Sequence, residues 1–193
     1  VSAAVGLFFV PAAHIEWDEH RRLGGMSMGH SRVTQSWVRD GDQWRITEVD
    51  AEGRVREVQQ LQVDDDGVRI LGIWKGETYL PWAPALMWLP PYPSLGQRFE
   101  AEHQRPDGTR SRRSVEIVAS TLSEGAISVV TDVQPIDPAD PSRQFRLLVR
   151  DHFAPGTGWI GYEAMLVRPT GTLRSWSAAV TRDGRRLPDP EAP

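Results

Sequence analysis

An all-β fold is predicted by three observations on the sequence. Turn pairs ending in glycine recur at Asp40-Gly41, Glu52-Gly53, Asp66-Gly67, Lys75-Gly76, Asp107-Gly108, Glu124-Gly125, Thr170-Gly171 and Asp183-Gly184, and glycine supplies the positive φ that tight hairpin turns need. Between turns the residues alternate with period 2: Trp44, Ile46 and Glu48 against Arg45, Thr47 and Val49, then Val68, Ile70 and Trp74 against Arg69, Leu71 and Ile73. That alternation, rich in β-branched and aromatic residues, is the strand pattern. No window of about a dozen residues carries an apolar i, i+3, i+4, i+7 stripe free of Gly or Pro, so long helices are not expected.

Taken in order, strands are expected near 14–21, 31–39, 43–50, 54–63, 68–74, 97–104, 112–119, 126–133, 144–153, 159–168 and 172–182. They form one large antiparallel meander of about eleven strands. An open flat sheet of that size is uncommon. The chain should curl into a barrel or half-barrel, or fold into two stacked sheets, each of which removes or protects the edges.

Two segments break the rhythm. Residues 134–142, Gln134-Pro135-Ile136-Asp137-Pro138-Ala139-Asp140-Pro141-Ser142, read as a Pro/Asp loop with only Ile136 to bury. Residues 79–93, Tyr79-Leu80-Pro81-Trp82-Ala83-Pro84-Ala85-Leu86-Met87-Trp88-Leu89-Pro90-Pro91-Tyr92-Pro93, hold five prolines beside two tryptophans and two tyrosines. Prolines lack the donor a ladder strand needs, so a Pro/Trp-rich crossover is expected, with at most a helical turn at Ala83 to Trp88. One domain, 1–193, results: a front half 1–78, the segment 79–93, a back half 94–186 and a tail 187–193.

Composition excludes several function classes. The chain has 193 residues, no cysteine and a mean hydropathy of -0.42, which suits one globular domain and rules out disulfide scaffolds, thiolate nucleophiles and iron-sulfur clusters. A net charge of -4 argues against nucleic acid as a partner. Of the 22 basic residues only Lys75 is lysine, an arginine skew of the kind a GC-rich genome produces. Arg105, Arg110, Arg112 and Arg113 flank the Pro106-Asp107-Gly108 turn, and Arg182, Arg185 and Arg186 surround another; both groups read as solvated turn charges. The apolar opening, residues 1–13, is shorter than the roughly 20 residues that span a bilayer, so an integral membrane protein is not expected. It reads either as the start of a domain whose leader lies upstream of residue 1, the reading preferred, or as a buried first strand.

Three short patterns occur in order: Phe8-Phe9-Val10-Pro11 with Ile15-Glu16-Trp17; Leu89-Pro90-Pro91-Tyr92-Pro93-Ser94-Leu95-Gly96-Gln97-Arg98-Phe99; and Asp151-His152-Phe153-Ala154-Pro155-Gly156-Thr157-Gly158-Trp159-Ile160-Gly161-Tyr162-Glu163. Together they resemble a loosely defined group of bacterial cell-envelope proteins of unassigned function, with a curved β half-barrel of the LolA/LolB lipoprotein-carrier type. The resemblance implies an extracytoplasmic β domain, in the periplasm or cell envelope, sometimes lipoprotein-anchored or carrying a hydrophobic ligand. The motifs are turns and strand starts and bring no catalytic residue. A lipid-attachment cysteine is absent from this sequence, so any anchor would lie upstream or not exist.

Candidate chemistry is sparse. His14, Glu16, Asp18 and His20 share one face of the first strand and could act as acid/base pairs if that face lined a concave interior; otherwise they form a polar outer face. Residues two apart on a strand lie roughly 6.5–7 Å apart, so the four do not converge on one metal, and no metal site is expected. Asp151 follows Phe145, Leu147 and Val149 on an apolar face, where it caps the core or forms a pocket rim; His152 points the other way. Nucleophile templates and Gly-rich phosphate loops are absent, and no cofactor is expected. Gly72-Ile73-Trp74 mimics the lipocalin Gly-x-Trp but lies in mid-chain and is read as chance. Tryptophan is abundant, at 8 residues. On regular strands it is core filler, whereas Trp82 and Trp88 in a stiff aromatic segment suit a lid or rim over an apolar pocket.

Two readings result. In the first, the domain binds or carries a hydrophobic small molecule or lipid on the concave side of its sheet, using Tyr79, Trp82, Leu86, Met87, Trp88, Tyr92 and Trp74, with 79–93 as lid. In the second, a β-barrel enzyme, such as a cyclase, isomerase or hydrolase of an apolar substrate, uses His14, Glu16, Asp18 and His20. An envelope interaction module is a third possibility that the sequence does not separate from the first.

Overall fold

The structure is a computed structural model and describes residues 3–104, 109–136 and 144–187. A short helix, α1 (Ala3–Phe8), precedes the strands β1 (His14–Leu23), β2 (Met26–Asp40), β3 (Gln43–Val49), β4 (Val55–Asp64), β5 (Gly67–Lys75), β6 (Thr78–Leu89), β7 (Arg98–Gln104), β8 (Arg110–Ala119), β9 (Ile127–Pro135), β10 (Arg146–Ala154), β11 (Gly158–Arg168), β12 (Gly171–Arg182) and β13 (Arg185–Arg186).

Spatial order follows chain order, each strand antiparallel to the next, and β1 also pairs with β12 from Ile15↔Arg182 to Leu23↔Leu173. Twelve strands therefore close into a barrel, and the two-residue β13 hangs on β12. Closure selects the barrel from the expected barrel or half-barrel, because the two edges that a half-barrel leaves unpaired here satisfy each other. The glycine of every described turn pair has positive φ, as expected. Asp107-Gly108 with Arg105, and residues 137–142 of the Pro/Asp loop, lie outside the described residues.

Two expectations are corrected. Residues 79–93 are neither a crossover nor a lid, because most of the segment is the wall strand β6. Its ladder to β5 runs through residues 78–81 and 86–89 and is interrupted between them, and its ladder to β7 is a single pair, Ala83↔Gln104. Pro84 falls inside the interruption, and Pro90, Pro91 and Pro93 lie past the strand's end, so few ladder bonds are lost. Gly72 belongs to the same irregularity. A Cβ there would come within 2.6 Å of the Leu80 carbonyl oxygen and 2.7 Å of the Tyr79 ring, so its glycine is required by close strand approach and owes nothing to a lipocalin motif.

The second correction concerns the alternative reading of the opening stretch, whose residues Ala3–Phe8 form a helix and not a first strand. Phe9 N–H donates to Val5 O at 2.7 Å, and both side chains are buried. Six residues are too few to display a periodic stripe, which is why the sequence hides this helix. It packs over one end of the barrel, where Gly156 N–H donates to Leu7 O at 2.8 Å and Phe9 meets Trp37 with ring centroids 5.7 Å apart. That end is filled by side chains: Ile15, Trp17, Val33, Ile46, Leu61, Val68, Val115, Ile117, Val129 and Phe153 form one apolar cluster with α1.

Candidate functional site

Further along the same inward faces the composition changes. On β1 the buried series Ile15, Trp17 continues with Glu19; on β8 Ile117 and Val115 give way to Arg113 and Ser111; on β10 Phe153 gives way to Asp151. A cavity of about 650 Å³ occupies this part of the interior. One stretch of its wall is apolar, with Val133, Leu147, Val149, Ala164 and Leu173, and Ile70, Trp82 and Leu86 line it as well. Trp88 and Trp159 belong to its lining and pack edge-on, with centroids 5.0 Å apart.

The polar groups form two clusters. Around Glu19, the Arg56 guanidinium donates at 2.9 and 3.3 Å, Arg21 at 2.9 Å, Ser31 at 3.2 Å and Tyr162 at 3.1 Å. Glu48, 3.4 Å from Arg56, accepts from Gln35 at 3.1 Å. Burial raises the Glu48 carboxyl above its ordinary value, and burial with Glu19 alongside pushes the Tyr162 phenol well up. This cluster satisfies its own charges.

The second cluster leaves buried polar atoms without hydrogen-bond partners. Arg113, 7% exposed, donates from one terminal nitrogen to Thr131 Oγ1 at 3.2 Å. Its other terminal nitrogen has no hydrogen-bond partner, although the Asp151 carboxylate attracts the guanidinium. Burial lowers Arg113 to about 10, which still leaves it cationic at neutral pH. Asp151, also 7% exposed, accepts the Trp88 indole N–H at 3.0 Å, and burial raises its carboxyl to about 6. His103 Nδ1–H donates to Pro84 O at 3.0 Å, its Nε2 is unpartnered, and burial lowers its pKa.

The sequence-predicted residues are divided by this geometry. Trp82, Leu86 and Trp88 line the cavity. Met87, between two cavity-facing neighbours, does not, and Trp74 and Tyr79 pack on each other with centroids 5.1 Å apart, outside the lining. Tyr92, 67% exposed, lies beyond β6. His14, Glu16, Asp18 and His20 occupy the outer face of β1, opposite Ile15, Trp17 and Glu19. There Glu16 accepts from Thr181 at 2.8 Å, Asp18 faces His30 and Arg32 at 3.5 and 3.4 Å, and His20 stacks on Trp176 at 4.2 Å. They are not drawn together around a substrate-sized space inside the barrel. A second depression, about 690 Å³, borders this outer face between His20, Trp176, Arg174 and Met165. Among the described residues no group of three or more His, Asp or Glu is arranged to hold a metal, and no helix is long and apolar enough to cross a membrane.

Two arginines read as solvated are buried: Arg113 and Arg182, the latter held below its ordinary pKa by burial. Arg110, Arg112, Arg185 and Arg186 are exposed as expected. Arg113, Glu19, Glu48, Gln35 and His103 were missed because charge and polarity suggested solvent. The available signal was phase, since Glu19 shares parity with Ile15 and Trp17, and Arg113 with Val115 and Ile117. His152, 1% exposed, lies on the outer side of β10, where Ser120 and Ser128 hydroxyls reach its Nδ1 at 2.8 and 2.9 Å and Glu163 stands 3.4 Å from Nε2.

No family model and no curated protein matches the chain. Two solved structures are similar to it. One, a suspected exported protein with a YmcC-like fold from Bacteroides fragilis, is 13% identical with a TM-score of 0.42; the alignment covers 90% of this chain and 96% of that one. The other, a suspected lipoprotein from Parabacteroides distasonis, is 7% identical with a TM-score of 0.44 and the same coverages. Likenesses this loose bear on neither ligand nor location.

Proposed function

We propose that the chain is an extracytoplasmic binding domain that holds or carries a hydrophobic small molecule or lipid inside its barrel, without catalysing a reaction on it. The observation that carries this reading is the cavity, whose volume of about 650 Å³ falls within the roughly 300–1,000 Å³ usual for small-molecule sites. Its apolar wall would hold a hydrocarbon portion at roughly 25 cal/mol per Å² desolvated. The buried polar groups would fix its orientation. Location outside the cytoplasm rests on the motif resemblance at 8–17, 89–99 and 151–163. An enzyme reading finds no comparable support, since His14, Glu16, Asp18 and His20 face away from the cavity.

The reading is tested by titrating the purified protein with Nile red and following dye emission together with the tryptophans that line the cavity. Saturable binding is expected, weakened at least tenfold, about 1.4 kcal/mol, by Leu147→Trp or Val149→Trp in variants that keep a cooperative melt. Absence of saturable binding, with no apolar molecule retained in native mass spectra, would overturn it. Recovery of the full-length protein in the cytoplasmic fraction of its own cells would overturn the location.

A further inference from the structure

Resting on that binding reading, we infer that Arg113 receives the headgroup of the ligand, and that the ligand is an amphiphile ending in a single carboxylate. The cavity wall carries a buried cation with an unfilled donor, Arg113, which the Asp151 carboxylate attracts without hydrogen-bonding to it. A buried guanidinium ordinarily meets a carboxylate or fills its donor positions with other acceptors, because an unpaired buried charge is costly. Arg113 is aimed into the cavity with one terminal nitrogen bonded to Thr131 Oγ1 and the other without an acceptor among the described residues. Around Glu19 the charged groups have partners: Arg21 and Arg56 pair with Glu19, Arg56 with Glu48, and Glu57 accepts from the Gln59 amide. Among the charged side chains of the lining, Arg113 is the one with a buried donor left unfilled.

The class of anion is set by the surroundings of that position. A carboxylate carries one negative charge and two oxygens in a plane, the shape a guanidinium fork pairs with most directly. Arg113 is one cation beside the Asp151 carboxylate, which is ionised above about pH 6, so a phosphate dianion would meet more repulsion there than a single carboxylate. The neighbouring His103 Nε2, with Nδ1–H committed to Pro84 O, is an unpartnered acceptor when neutral, so a hydroxyl or water beside the carboxylate would be held as well. The apolar side chains of Val133, Leu147 and Val149 lie in the same cavity. Headgroup and hydrocarbon are thereby placed as in a fatty acid.

The experiment compares dodecanoate, dodecan-1-ol, dodecyl phosphate and dodecylamine as competitors of Nile red on the unmodified protein, then on Arg113→Met and Arg113→Lys. Dodecanoate is expected to bind at least tenfold more tightly than dodecan-1-ol. Arg113→Met should erase that preference while leaving dodecan-1-ol binding within about twofold, and Arg113→Lys should recover part of it. Equal affinity for dodecanoate and dodecan-1-ol on the unmodified protein overturns the headgroup assignment and leaves the cavity reading intact, a result independent of whether either variant folds. Preference for dodecyl phosphate or dodecylamine overturns the carboxylate. Failure of all four to displace or match Nile red, with no Nile red binding, overturns both.

Discussion

Trp88 donates its indole N–H to the Asp151 carboxyl at 3.0 Å inside the barrel, joining the proline-interrupted strand β6 to β10, whose end carries the Ala154-Pro155-Gly156 turn. The two stretches that stand out most in the sequence thus meet at one buried contact. Trp88 also packs edge-on against Phe153 and Trp159, with centroids 5.3 and 5.0 Å away, so Asp151 sits where the filled core ends and the cavity begins.

Asp151 makes stability depend on pH. Its carboxyl is raised from 3.8 to about 6 by burial, so the folded state holds this proton more tightly than the unfolded chain. Below pH 4 both states are protonated and the group is neutral in its effect; stability then falls between about pH 4 and 6, and the full penalty persists above. Asp151→Asn, which still accepts from Trp88, should match the unmodified protein at pH 4 and exceed it at pH 7 by up to about 3 kcal/mol. Urea unfolding at both pH values checks this, and a gap independent of pH would refute it.

Glu19 is the hub of the satisfied cluster, its side chain 4% exposed. Glu19→Gln removes the charge that Arg56 and Arg21 face, and breaking a buried pair from one side costs about 3–5 kcal/mol. Tyr162→Phe removes one donor and should cost only about 1 kcal/mol. Comparable melting temperatures for the two variants would contradict this account of the network.

Gly72 and Gly6 separate close approach from backbone freedom. Gly72→Ala drives a Cβ against Leu80 and Tyr79 and should destabilise by about 1–3 kcal/mol. Gly6→Ala in α1 meets nothing within 4 Å and should be neutral or stabilising by up to about 1 kcal/mol. Thermal melts of both variants decide the matter.

His152→Ala leaves the buried Ser128 hydroxyl without its partner and opens a cavity on the outer side of β10, a loss of about 1–3 kcal/mol from the hydroxyl alone. The cavity on the inner side does not include His152, so Nile red affinity should be unchanged at temperatures where the variant is folded. A loss of affinity there would join this cluster to the binding site.

Eleven strands were legible because turns and period 2 are local properties, read correctly at Asp40-Gly41 or Trp44–Val49 without knowledge of neighbours. The strand β6 was not, because proline's missing donor matters only where a neighbour would have accepted it, and the interruption opposite Pro84 is a property of the β5 and β7 partners. Curling into a barrel was expected from the number of strands, but the seam was not, because nothing within β1 or β12 announces that they adjoin. At the site, Trp82, Leu86 and Trp88 were found by composition. Arg113 and Glu19 were hidden by their charge, although each continues the parity of an apolar face.

The seam between β1 and β12 has a kinetic meaning. Every other pairing joins consecutive strands and can form hairpin by hairpin, but Thr181 and Glu16, bonded at 2.8 Å, are 165 positions apart. Closing a loop of that length costs on the order of 4–5 kcal/mol of chain entropy, which only a nearly complete row of strands offsets. Folding should end with this closure, and the last species before it is a curled ribbon with two free edges, the state from which the chain is most exposed to pairing with another copy of itself.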